Sequence, residues 1–319
     1  MSPTNRLEME PRRILVLKLG ALGNIILSLG PFAAIRRHHA DARITLLTLK
    51  PYAGWLADAP WFDDVWIDTR PEWWDVRGMF ALRRRLVGGG FDRVYDLQTS
   101  SRSSRYFHLF PRGARPDWSG IAAGASLPDA DPGRNRLHDI DRQFGQLRAA
   151  GVLERPPADL SWAAGDVSRF GIPAPFALLV PGCSPHRPGK RWPAENYGAL
   201  AAWLDTEGIV PVIVGSTAER GLAATIRAAA PAARDLTGQT TLGDVASLAR
   251  AAQIAVGNDT GPMHLIATAG CRSVVLFSAD SDPGLCAPRG PDVTVLRRPV
   301  LASLAPEEVL PLLTPAFAG

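Results

Sequence analysis

Ile254-Ala255-Val256-Gly257-Asn258-Asp259-Thr260-Gly261-Pro262-Met263-His264 is the stretch whose reading decides the fold. An apolar run stops at a glycine, a carboxylate and a hydroxyl, and Pro262 sits where a helix would begin. Proline is favoured at the first helical position because its missing N–H would lack a partner there anyway. The segment therefore predicts strand, tight turn and helix N-terminus, with Asp259 and Thr260 at the mouth. Such a mouth carries partial positive charge and unpaired donors, which suits a phosphate. A helix cap with no ligand leaves the same local pattern, so the surrounding chain has to decide.

Working outward, the whole second half repeats this rhythm. Phe176–Val180 predicts a buried strand ending in Pro181-Gly182-Cys183-Ser184. A polar loop, Pro185 to Lys190, leads through Arg191-Trp192-Pro193 into a helix at Ala194–Thr206. Strand Ile209–Val214 ends at Gly215-Ser216-Thr217-Ala218-Glu219, before helix Arg220–Ala230. Asp235-Leu236-Thr237-Gly238-Gln239, helix Leu242–Ala251 and strand Ser273–Phe277 frame the opening stretch. The last helix-like segment, Pro306–Leu313, can pack on either half.

The first half has the same grammar. Arg13–Leu19 is the nearly continuous apolar run of a buried parallel strand. It meets Gly20-Ala21-Leu22-Gly23-Asn24 and then a helix-like segment, Ile25 to His38. Strands at Ala42–Leu49, Val65–Ile67 and Phe91–Gln98 follow, with a helix at Arg77–Val87 ended by Gly88-Gly89-Gly90. Residues 111–135 read as irregular loop, and Leu137–Ala150 as a helix closed by Gly151. Prolines at 156, 157, 173 and 175 mark a linker, which puts the domain boundary near residue 165. The fold class expected is α/β, with two Rossmann-like doubly wound domains, 1–165 and 166–319, facing across a cleft. Ligands gather outside the carboxyl ends of strands in such sheets, so Asp96, Gln98 and Arg102 are cleft candidates.

Composition narrows the function classes. With 319 residues, two domains are expected; 46% are hydrophobic and 21% charged, as in ordinary globular proteins. No apolar run is long enough to span a bilayer, and Met1 to Glu10 lacks the apolar core of a signal peptide. Three cysteines without CxxC spacing argue against a disulfide frame or structural zinc and for the cytosol. Residues 1–160 carry 23 Lys and Arg against 18 Asp and Glu, whereas residues 161–319 carry 12 against 13. The basic half points to an anionic partner. Nucleic acid is disfavoured, because no basic run interleaves with aromatics.

The motifs in order, Lys18 to Asn24, Asp96-Leu97-Gln98, Lys190-Arg191-Trp192-Pro193, Gly215 to Glu219, Thr237-Gly238 and Asp259 to His264, resemble the ADP-heptose:lipopolysaccharide heptosyltransferases of glycosyltransferase family 9. The resemblance runs from about residue 13 to about residue 290. It implies a GT-B architecture, an inverting sugar transfer, no cofactor and no required metal. Lys190 would then meet the donor diphosphate, a point charge standing where other transferases use a cation. Thr260 and Gly261 would share that load through backbone donors, and Ser184 through its hydroxyl. Glu219 would accept hydrogen bonds from the ribose, Thr240 would approach the adenine, Asp259 the transferred sugar and His264 the nucleotide.

The same resemblance gives the N-terminal half an acidic glycolipid acceptor, lipopolysaccharide core or similar. The acceptor candidates are Gly23, Asn24, Asp96, Gln98 and Arg102, of which Arg102 matches a basic family position. The runs Arg36-Arg37-His38-His39 and Arg83-Arg84-Arg85 fit the same sign. Trp61, Trp66, Trp73 and Trp74 add a residue type common at membrane interfaces, although core or cleft lining is the use expected of most of them. The implied location is cytoplasmic, with peripheral contact at the inner-membrane surface.

One position departs from the family. Its glycine turn ends in Asp, the general base, whereas this chain has Asn24, and a neutral amide cannot take up the acceptor's proton. Three readings stay open: another carboxylate, Asp96 or Asp139, is the base; the proton leaves late, to water or phosphate; or the protein is a weak or inactive nucleotide-sugar-binding relative. A transferase or epimerase using another nucleotide-sugar is a further alternative. An NAD-dependent oxidoreductase is disfavoured, since the first strand lacks the GxGxxG fingerprint.

Overall fold

A computed structural model describes residues 11–313. The first ten residues, where a signal peptide was discounted, lie outside the described residues. Two compact units emerge, residues 11–21 with Ser28–Ala158, and Leu22–Leu27 with residues 159–313.

The N-terminal unit holds a sheet of six parallel strands, β1 (Arg13–Leu17), β2 (Arg43–Thr48), β3 (Asp64–Ile67), β4 (Arg93–Asp96), β5 (Asp117–Gly120) and β6 (Leu127–Pro128), in the order β3-β2-β1-β4-β5-β6. This is the Rossmann order, which reverses direction between β1 and β4. Four of the five β1 residues are fully buried, as the unbroken apolar run required. The expected helix Ile25–His38 is instead two helices, α1 (Leu22–Ile26) and α2 (Leu29–His38). Residues 111–135 are not all irregular, because β5 and β6 complete the sheet there. Both strands are short, and the flanking Gly, Pro and Asp residues hide them from pattern reading. Helix α3 (Lys50–Ala57) was also missed; α4 (Val76–Gly88), α5 (Ser101–Tyr106) and α6 (Asp139–Ala149) complete the unit.

The C-terminal unit repeats the design. Its strands are β7 (Phe176–Val180), β8 (Val210–Ile213), β9 (Arg234–Asp235), β10 (Ile254–Asn258), β11 (Ser273–Phe277) and β12 (Val293–Arg297), all parallel, in the order β12-β11-β10-β7-β8-β9. Read from the other edge, this is again the Rossmann order, with the reversal between β7 and β10. Helices α7 (Ala194–Thr206), α8 (Arg220–Ala229), α9 (Leu242–Ala251), α10 (Gly261–Thr268), α11 (Pro283–Cys286) and α12 (Pro306–Val309) follow. The final segment joins this unit's core, with Leu304, Val309 and Leu313 packed in one cluster with Trp192, Leu200 and Val256. The expected α/β class with two Rossmann-like doubly wound domains therefore holds. Among the described residues no helix is long and apolar enough to cross a membrane.

Candidate active site

At the β7/β10 reversal the opening stretch does more than cap a helix. Gly257 is required by packing: a Cβ there would stand 2.6 Å from Met263 Sδ and 2.7 Å from Val180 Cβ. Fully buried Asn258 ties three segments together. Its Nδ2 donates to Pro181 O (2.8 Å) and Gly182 O (3.2 Å), while its Oδ1 accepts from Trp192 N (3.0 Å) and Tyr197 Oη (3.1 Å). Trp192 in turn donates from Nε1 to Leu304 O at 2.8 Å. The K-x-W-P element is thus pinned, so Lys190, two residues earlier, is delivered to the end of β10.

There Lys190 Nζ donates to Asp259 Oδ2 at 2.5 Å, and Ser281 Oγ donates to the same oxygen at 2.6 Å. His264 Nε2 stands 3.9 Å from Asp259 Oδ1. The pair is largely withdrawn from water, with side-chain exposures of 12% for Lys190 and 6% for Asp259. Two mostly desolvated opposite charges hold each other firmly, and either left alone would be costly. Gly189 lies close to the exposed Asp280 carboxylate, whose Oδ2 would stand 2.5 Å from an added Cβ. Thr260 is the N-cap of α10 with Pro262 in its first turn, so the helix mouth opens beside the Lys190–Asp259 pair. First-turn N–H groups lack intrahelical acceptors, which adds positive potential for an anion.

Glu219 lies at the end of β8, in a 3-10 turn. Its Oε2 accepts from Ser216 N (2.7 Å) and Ser216 Oγ (2.6 Å), a capping box that fixes the carboxylate. Its other oxygen lies beside Gly182, where an added Cβ would be 3.1 Å from Oε1. Thr237-Gly238 frames the same turn: Gly238, at φ +72°, approaches Thr217 so closely that a Cβ would sit 2.5 Å from Thr217 Cγ2. Thr240 is half-buried just beyond, and Ser184 is exposed on the loop after β7.

Gly23 and Asn24 are carried by α1, which packs against α10 in this C-terminal unit rather than with the strand that precedes it. Gly23 faces the His264 ring, and Asn24 is exposed.

The N-terminal unit holds the remaining candidates around a cavity of about 310 Å³, lined by Leu19, Arg70, Trp73, Gln98, Ser100, Ser101, Arg102 and Arg105. Arg102 donates to Pro71 O at 3.0 Å, and the Arg102 and Arg105 guanidinium carbons stand 5.1 and 4.7 Å from the Trp73 ring centroid. Gln98 Oε1 accepts from Leu19 N at 2.8 Å, fixing the turn after β1. Two non-glycine residues here are left-handed, Arg70 (φ +52°) and Thr99 (φ +43°). Each is held by an aspartate at a strand end: Arg70 N donates to Asp68 Oδ1 (2.8 Å) and Thr99 N to Asp96 Oδ1 (3.0 Å). Strain of this kind persists where surrounding structure over-determines it, and it clusters at ligand sites.

Asp96 is therefore engaged by the Thr99 N–H and fully buried. Burial pushes its carboxyl up to about 6, against the Thr99 N–H, which favours the charged form. Asp139 is 6% exposed and bonded by Arg142 and Gln143, with Lys18 at 3.9 Å. Lys18 is buried, its ammonium pushed down by desolvation despite Asp139. Neither carboxylate weighed as a base is open to solvent.

The structure thus gathers Lys190, Asp259, Thr260, Gly261, His264 and Glu219 around the β7/β10 end, with Gly23 against His264. Within the N-terminal unit it brings Gln98 and Arg102 to one cavity, and buries Asp96 at the end of β4. Asn258 and Ser281 escaped sequence reasoning. Asn258 sat unremarked inside the opening stretch, and the proximity of Ser281 to Asp259 has no local signature. Among the described residues no cluster of three or more His, Cys, Asp and Glu could hold a metal ion.

Two Rossmann-like units, the second presenting a lysine, a carboxylate and a helix mouth at its reversal point, are the build of a GT-B glycosyltransferase. The family model for glycosyltransferase family 9 (heptosyltransferase) matches residues 79–305, and the chain belongs to that family. The resemblance drawn from the motifs is borne out. Among curated relatives, lipopolysaccharide heptosyltransferase 2 of Salmonella typhimurium is 34% identical over 238 residues, covering 65% of each chain. The structure of E. coli ADP-heptose lps heptosyltransferase II superposes with a TM-score of 0.76 at 21% identity, over 96% of this chain and 98% of that one. E. coli heptosyltransferase WaaC with ADP-2-deoxy-2-fluoro heptose gives 0.74 at 20% identity, over 95% and 99%.

Proposed function

We propose that this glycosyltransferase moves a heptose, or a closely related sugar, from an ADP-sugar to a lipopolysaccharide-core or similar acidic glycolipid, with inversion at the anomeric carbon. The observation that carries the reading is the Lys190–Asp259 pair, shared with Ser281 and placed at the mouth of α10. The two opposite charges hold each other at the strand end. An arriving diphosphate takes over the Lys190 ammonium, and Asp259 turns its oxygens to the sugar hydroxyls. As the acceptor oxygen bonds to the anomeric carbon, the bond to the diphosphate breaks and its electron pair leaves with ADP. Lys190 and the α10 N–H groups stabilise that growing charge, where preorganised donors are worth most. Glu219 Oε1 accepts from the ribose, Thr240 approaches the base, and Ser184 adds a hydroxyl to the phosphates.

The acceptor's anionic groups are met by Arg70, Arg102 and Arg105, with Trp73 as an apolar wall. Asn24 orients the acceptor hydroxyl, and its proton passes to water or phosphate late in the step, since Asp96 and Asp139 are enclosed. The chain works in the cytoplasm, at the membrane face that holds such an acceptor. Support for the sugar and acceptor comes from the family and from relatives whose names specify lipopolysaccharide.

Incubation with ADP-heptose and a Kdo–lipid A acceptor tests this directly. Heptosylated product and stoichiometric ADP are expected; neither transfer nor ADP release would sink the pair. Thermal shifts with ADP-, UDP- and GDP-sugars then rank donors, because a ligand binding only the folded state raises the melting temperature.

A further inference from the structure

Strand β3 of the N-terminal unit runs into Asp68, whose carboxylate is buried and divided between two partners. Oδ1 accepts from Arg70 N at 2.8 Å, and Oδ2 accepts from Tyr106 Oη at 2.7 Å. The first bond holds Arg70 at φ +52°, a left-handed backbone that a residue with a side chain rarely adopts. Glycine would take that conformation without strain, so an arginine kept there marks a position where the side chain is needed. The second bond ends on α5. The Tyr106 ring is fully buried in the cluster with Leu15, Phe107 and Trp118, where phenylalanine would pack as well, so packing does not account for the hydroxyl. Burial, followed by the Asp68 charge and hydrogen bond, pushes the phenol pKa up, while the Arg102 guanidinium beside it acts the other way. A phenol has a single proton to give. Given to Asp68, it leaves the Oη lone pairs for Arg102, which also donates from Nη1 to Pro71 O at 3.0 Å and lies over the Trp73 ring.

We infer that Asp68 and Tyr106 are positioning residues for the arginine cavity: one buried carboxylate sets the backbone from which Arg70 reaches it and, through the Tyr106 hydroxyl, the orientation of Arg102. Arg70 and Arg102 line that cavity, whereas Asp68 and Tyr106 do not, so the pair acts on a bound anion only through the two arginines. A guanidinium held in place beforehand loses less freedom when an anion arrives, which raises affinity without a new contact. That the anion is a phosphorylated acceptor rests on the proposed function; the placement of Arg102 does not.

Tyr106→Phe and Asp68→Asn test the inference. Asparagine keeps an oxygen for the Arg70 N–H but offers Tyr106 Oη an N–H in place of an acceptor, so the phenol lone pair is claimed from the wrong side. Each variant should raise KM for fully deacylated Kdo–lipid A, which keeps its phosphates, roughly three- to tenfold, the worth of one hydrogen bond. KM for the nucleotide-sugar should stay as in wild type. Tyr106→Phe placed on Arg102→Ala should add nothing to the acceptor KM, because a residue that acts through another is not additive with it. An equal rise in both KM values, or a full further rise on the Arg102→Ala background, overturns the inference and leaves a merely structural pair. The Arg102 Nε–Hε NMR resonance, assigned by its absence in Arg102→Lys, reads the placement without turnover. It should move toward the free-arginine position in both variants, and an unmoved resonance in either overturns the inference. That movement in an enzyme that transfers no sugar upholds the positioning pair and overturns the functional reading instead.

Discussion

Gly23 lies against the imidazole of His264 so tightly that a Cβ on Gly23 would stand 2.9 Å from His264 Cδ2 and 3.1 Å from Nε2. The reciprocal approach is as close, since a Cβ on Gly261 would meet Leu22 Cβ at 2.7 Å. The glycine turn after β1 is thus shaped to seat α1 on α10. His264 is buried and 3.9 Å from Asp259, so its ring has little room to yield. Gly23→Ala is expected to cost roughly 1–3 kcal/mol of stability, in the range of overpacked cores, and to weaken ADP binding. Calorimetric melting and titration with ADP check this; wild-type values for both would show that the ring moves aside freely.

The Lys190–Asp259 pair predicts opposite effects on binding and turnover. Lys190→Met should lower kcat by about 10²–10³, the scale of losing one preorganised donor to a developing anion. Asp259→Asn frees the ammonium in the donor-free enzyme, so ADP, which carries no sugar, should bind at least as tightly while kcat falls. Weaker ADP binding in Asp259→Asn would contradict the exchange of partners described here.

At Asn24, restoring the carboxylate of the family pattern should preserve or raise activity. A large loss of kcat in Asn24→Asp, with ADP affinity intact, would mean that the amide has its own role in holding the acceptor.

Arg102 stacks on Trp73 and donates to Pro71 O, so its guanidinium is preset at the cavity. Arg102→Ala should raise KM for a phosphorylated acceptor about tenfold or more, as loss of a charge-assisted contact of 1.5–3 kcal/mol implies. KM for the nucleotide-sugar should stay unchanged. An equal rise in both KM values would place Arg102 outside acceptor binding.

Two buried groups of the N-terminal unit titrate with opposite signs. Burial pushes His39, hydrogen-bonded to Tyr95 Oη at 2.8 Å, down from 6.5 to about 3. Between those values the unfolded chain binds a proton that the folded one refuses, so stability falls as pH falls, by about 1.4 kcal/mol per unit. Burial raises Asp96 from 3.8 to about 6, so in that window the folded form holds the extra proton and stability rises as pH falls. The two slopes offset each other between 3.8 and about 6. Asp96→Asn should therefore expose an acid-labile limb, and His39→Gln should make the protein gain stability on acidification. Denaturant midpoints measured across pH 4 to 7 decide; parallel profiles for the two variants would refute the compensation.

How much of this was legible in the chain depends on the range of the physics involved. Strand, glycine turn and helix mouth are written in adjacent residues, because buried parallel strands need unbroken apolar runs and helix starts need their own caps. Phe176–Val180, Ala194–Thr206, Leu242–Ala251 and Ser273–Phe277 fall where the pattern placed them. The motifs likewise named Lys190, Glu219, Asp259 and His264 together. Short strands such as Asp117–Gly120 and Leu127–Pro128 escaped, since two to four residues carry too little periodicity to stand out from turn residues.

The opening stretch, Ile254 to His264, shows where the division falls. By itself the sequence determined that it forms a strand end and a helix mouth able to hold an anion, as local propensity and capping require. Only the tertiary structure decided that Asn258 pins the Lys190 loop, that Ser281 shares Asp259 with Lys190, and that Gly23 comes to rest on His264. It likewise decided that Asp96, read as a cleft residue, lies buried under a strained turn. These relations join residues remote in sequence, and their energies arise from close packing and desolvation, which exist only once the chain has closed on itself.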